Sequence, residues 1–99
     1  LNDHRRRLLA SRDRMNNANR LTVSRLMVNL FDRIQLHPRK EEQLLALAGA
    51  FVLMADACRI PAQDVFTCVK NLMTDPLRED GLVHQFAAMK YHLETEVLA

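Results

Sequence analysis

The sequence predicts an all-α protein: a compact bundle of four to five helices around a buried central helix at about residues 39–58, acting as a dimer. Three observations predict it. No run of useful length alternates apolar and polar residues as a half-buried strand does. Only 2 Gly and 3 Pro punctuate the 99 residues, a composition of long helices with short connections. Residues 44–55, LLALAGAFVLMA, carry no polar side chain, with Glu41, Glu42 and Gln43 before them and Asp56 after. A segment apolar all round and rich in helix formers is expected to be a helix buried on every side. At about 1.5 Å per residue it falls short of the ~20 residues that cross a bilayer, so the expectation is a core helix and no membrane span.

The elements follow in order. Residues 1–19 form a basic N-terminal helical arm, and residues 20–99 the helical domain. In the arm Leu1, Leu8 and Met15 recur every seven residues, but His4 and Ser11 between them are polar. That pattern supports a solvated helix leaning on a neighbour by one narrow stripe better than a coiled-coil seam. Asn16, Asn17 and Asn19 interrupt it, because Asn competes for backbone hydrogen bonds and favours caps. A second helix, about residues 20–35, places Val23, Leu26, Met27, Leu30, Phe31 and Ile34 on one face, with Leu21 and Val28 outside it. His37-Pro38 ends this segment, since the residue before Pro is pushed out of helical geometry.

The central helix opens near Pro38, with Glu41 and Glu42 at the positive end of its dipole. Ala46, Ala50 and Ala57, with Gly49 close by, form a small-residue stripe. Gly costs about 1 kcal/mol relative to Ala in a helix interior, so another backbone is expected over Gly49, within the chain or across a symmetry axis. Arg59-Ile60-Pro61 is a tight break, and Pro61 begins a fourth helix over residues 62–74. Its buried arc is Val65, Phe66, Val69, Leu72 and Met73. Asp75 then caps, Pro76 takes a first helical position and Glu79 and Asp80 favour the dipole, with Gly81 a soft point. The last helix runs to the C-terminus on a buried edge of Leu82, Phe86, Met89, Leu93 and Val97.

The net charge of +2 conceals an asymmetry. Residues 1–40 hold ten Lys/Arg against three acids, a local +7; residues 41–99 hold four against nine, a local −5. A basic arm on an acidic body suggests an anionic partner for the arm; equally, the arm neutralises its own body or a neighbour's. Arg5, Arg6 and Arg7 are not followed by the apolar stretch of a secretory leader, so a cytoplasmic location is expected, with Cys58 and Cys68 reduced and buried.

No constellation for chemistry stands out. His4, His37, His84 and His92 show no metal-ligand spacing, and His92 with Glu96 is half a site that reads better as a solvated pair one turn apart. Ser11 and Ser24 lack a Gly-flanked elbow, and glycines at 49 and 81 alone make no phosphate loop. The expectation is a non-enzyme with no cofactor, no metal and no small-molecule substrate.

Residues 54–70, MADACRIPAQDVFTCVK, do show a local pattern. Ala55, Ile60 and Val65 sit where helix-turn-helix units place a small residue and two buried apolar ones, and over about twenty residues the stretch resembles that family. It departs at Arg59, where Gly usually permits the turn. The resemblance implies a second helix offering Gln63, Thr67, Lys70 and Asn71 to DNA, although Asp64 beside them would repel phosphate. Arg5, Arg6, Arg7, Arg12, Arg14, Arg20 and Arg25 could each neutralise a phosphate, without interleaved aromatics for single-strand stacking. In size, short capped helices and over-apolar centre the chain also resembles, diffusely, the small helical accessory proteins of tailed phages and prophages.

Two functions are therefore expected. The first is a non-enzymatic protein-interaction or regulatory role as a homodimer. A helix apolar on all sides needs more cover than thin amphipathic neighbours supply, leaving Leu21, Val28, Ala46, Gly49 and Ala50 for a second protomer. The alternative is a small DNA-binding regulator with the basic arm on the phosphates of a duplex.

Overall fold

The computed structural model describes residues 2–74 and 83–98, at Val83 and His84 the backbone alone. Five α-helices follow one another: α1 (Asp3–Asn16), α2 (Arg20–Ile34), α3 (Lys40–Cys58), α4 (Ala62–Thr74) and α5 (Val83–His92). A π-helical turn, Leu93–Val97, continues α5. The described residues contain no strand, so the fold is all-α. The expectations for Asp75, Pro76, Glu79, Asp80, Gly81 and Leu82 lie outside the described residues.

Local chemistry sets the boundaries. Asn2 caps α1, its Oδ1 accepting the Arg5 N–H at 2.8 Å, and Asn17 closes it by donating from Nδ2 to the Asp13 carbonyl at 2.8 Å. Asn19 caps α2 through the Thr22 N–H at 3.1 Å. Each Asn satisfies one of the backbone groups a helix end leaves open. Arg39 precedes α3 without a side-chain cap. Instead Gln43 folds back to donate to the His37 carbonyl at 2.6 Å, and Glu42 pairs with His37. α3 ends in a Schellman motif: Ile60 N–H donates to the Ala55 carbonyl and Arg59 N–H to the Asp56 carbonyl, both at 3.0 Å.

The hub of the chain is α4. It packs against α1, α3 and α5, and α2 packs against α5. Cys68 and Leu72 on α4 are buried, with Phe86 of α5 and Ala55 of α3 completing the apolar interior. Met89, Leu93 and Val97 are half-buried, as their spacing predicts. α1 leans by a stripe of half-buried Leu8, Ser11 and Met15, so the arm is an ordered, docked helix.

The expectation of a central helix buried on every side is not met within one chain. Of α3 only Ala55 is buried, and Leu45, Leu53 and Met54 are 71%, 72% and 71% exposed. Nothing lies within 4 Å of where a Gly49 Cβ would be, so no backbone of the described residues crosses there. The reason is the shape. The molecule is elongated, 50 × 32 × 17 Å, and α4 packs on α3 from one side. The radius of gyration, 15.2 Å, likewise exceeds the about 13 Å of a compact domain this long, so the helical arrangement is elongated.

Candidate functional site

The inward line of α3 is Gln43, Leu47, Phe51 and Ala55, one residue per turn, all half-buried or buried. Phe51 meets Phe66 of α4 at 5.0 Å between ring centroids, tilted by 44°. The opposite face carries Leu45, Ala46, Gly49, Val52 and Leu53, all exposed. From residue 45 to 53 this face runs for about 12 Å at 1.5 Å per residue without a charge. Glu42 and Asp56 bound it, both exposed. An uncharged apolar patch with charged ends has the composition of an interaction surface.

The residues expected at a dimer contact are thus split between two places. Ala46, Gly49 and Ala50 lie exposed on α3. Leu21 and Val28 instead face α5, lining a cavity of about 630 Å³ with Phe31, Met89, Leu93 and Val97. Sequence reasoning did not find this groove, because it depends on how α2 and α5 are set apart. Leu26 and Leu30, placed on the buried face of α2 by periodicity, are exposed. Neighbouring helices cover the middle of this face and leave its flanks open.

The helix-turn-helix-like stretch has a definite geometry. α3 and α4 meet at 113° across residues 59–61, within the range of about 90–120° for such units. Arg59 occupies the left-handed region at φ 57°, the conformation for which Gly was expected. Gln63, Thr67, Lys70 and Asn71 are all exposed on one face of α4, and Asp64 is half-buried beside them. Thr67 uses its hydroxyl on the Gln63 carbonyl at 3.0 Å. Phe66, expected in the buried arc, is exposed on this face at its α3 side.

The arginines of the arm do not act as one group. Arg5, Arg6 and Arg12 are exposed, while Arg7 and Arg14 are exposed along the cleft between α1 and the end of α3. Arg20 cannot reach a phosphate: it is 2% exposed, buried at the start of α2. Ser24, one turn on, is equally buried and donates to the Leu21 carbonyl at 3.0 Å. Of the cysteines, both free, Cys68 is buried as expected, but Cys58 is exposed because it closes the helix that lacks cover.

No group of three or more metal-ligating side chains comes together among the described residues. No single helix there is long and apolar enough to cross a membrane. No protein-family model, no curated protein and no solved structure matches this chain.

Proposed function

We propose that the chain is a non-enzymatic interaction protein that acts as a homodimer, sealing the outward face of α3 against a second copy. The observation that carries this reading is the uncharged face of Leu45, Ala46, Gly49, Val52 and Leu53, open to solvent on a molecule 17 Å thick. An apolar face that its own chain leaves open is covered by a second copy, which offers a surface of the same kind. Gly49 lies midway along Lys40–Cys58, so antiparallel pairing about it sets Leu45 of one protomer beside Leu53 of its partner. Such a contact is self-complementary, as a two-fold axis requires. Sedimentation equilibrium at micromolar concentration tests the reading. Twice the chain mass is expected, falling to the single mass in Leu53→Glu with helicity retained; a single mass for the unaltered chain removes the proposal.

A second reading, a DNA-binding regulator, draws support from the 113° crossing and the left-handed Arg59 turn. It predicts duplex binding with a steep salt dependence that is lost when Arg5, Arg6 and Arg7 are neutralised together. Absence of binding at low salt eliminates it.

A further inference from the structure

The cleft between α1 and the α3–α4 turn collects cations from distant parts of the chain. His4, Arg7, Ser11 and Arg14 of α1 face Cys58 and Arg59 across a cavity of about 360 Å³. Arg7 and Arg14 are two helical turns apart on one side of α1, about 10 Å along its axis. Arg59 comes from the opposite wall, held there by a backbone conformation that a non-glycine residue rarely adopts.

Among the described residues no carboxylate lines this cleft, and no ion pair between them involves Arg7, Arg14 or Arg59. Asp3, one turn before Arg7, offers it a backbone carbonyl at 3.4 Å. An opposing charge in the wall is the C-terminal end of α3, worth about half an elementary negative charge and partly satisfied by the Schellman bonds. Three guanidinium groups outweigh it.

We propose that this cleft binds a phosphate-type oxyanion: the phosphoryl group of a small phosphorylated molecule or one phosphate of a nucleic acid backbone. The planar guanidinium fork matches two oxygens of such a group at once, which a three-arginine cleft can exploit from two sides. Ser11, half-buried in the lining, is a neutral donor for a third oxygen.

Titration with inorganic pyrophosphate, followed by calorimetry, tests it in four forms: the unaltered chain, Arg59→Gly, Arg7→Gln and Arg5→Gln. Saturable binding at one site per chain is expected, weakened about tenfold or more in Arg59→Gly and Arg7→Gln, as loss of a charge-assisted contact implies. Arg5→Gln, which removes the same charge outside the cleft, leaves binding unchanged. Arg59→Gly also melts no lower than the unaltered chain, because Gly takes the left-handed position without strain; its weaker binding is then a loss of the guanidinium and no loss of fold. A short duplex added in competition separates the two sources: displacement of pyrophosphate assigns the site to a nucleic acid phosphate, and coexistence assigns it to a small phosphorylated ligand. Absence of saturable binding, or equal weakening by Arg5→Gln, overturns the proposal.

Discussion

Two arginines carry the plainest consequences of single positions. Arg59 stands where the Schellman turn favours Gly, and its φ of 57° costs a non-glycine residue about 1 kcal/mol or more. Arg59→Gly should therefore stabilise the fold by about 0.5–1 kcal/mol, less the entropy that Gly adds to the unfolded chain. Urea denaturation reads this directly; an unchanged or lower midpoint would mean that the guanidinium repays the strain through contacts of its own. Arg20 behaves in the opposite way. It is buried and engaged, so Arg20→Ala should destabilise by about 2–4 kcal/mol, whereas Arg5→Ala, on the open side of α1, should stay within about 0.5 kcal/mol. The sequence presents both as members of one basic run. What separates them is burial, and charge counting along the chain carries no information about burial.

At the scale of helices, amphipathicity proved a better guide to the hub than total hydrophobicity. α4 has a sharply one-sided pattern, and its buried Cys68 and Leu72 meet three neighbours. α3 is apolar in every direction, and its line of Gln43, Leu47, Phe51 and Ala55 turns inward while the opposite face stays exposed. The Asn caps, the break at residues 59–61 and the bounds of α4 were legible because each rests on local chemistry: a side chain satisfying a backbone group, or Pro refusing a conformation. The exposure of α3 was not legible, since it depends on how the helices are set against one another. Two comparisons follow. Leu72→Ala should cost about 2–5 kcal/mol, while Leu45→Ala should leave the folding of the dilute chain within about 0.5 kcal/mol and weaken only association. Gly49→Ala, with open space above it, should stabilise the dilute chain by about 1 kcal/mol through helix propensity. In the proposed dimer the added methyl group would hold the two α3 helices apart, so the same substitution should raise the dissociation constant. Denaturation and sedimentation on the same samples separate the two effects.

The whole molecule is elongated, and its best apolar surface faces outward. Fully burying a Leu, Val or Met side chain stabilises by about 1.5–3 kcal/mol, and five such groups, Leu44, Leu45, Val52, Leu53 and Met54, stand open on α3. The proposed pairing through this face would bury Leu45, Val52 and Leu53 between two copies. The central claim is that a second copy covers Leu45, Val52 and Leu53, and an isotope-filtered nuclear Overhauser measurement on a mixed sample of labelled and unlabelled chains tests it most directly. The account predicts cross-peaks between copies at the methyl groups of these three residues. Their absence, with the same methyl groups broadened by a water-soluble paramagnetic probe as strongly as exposed Leu9, would contradict it.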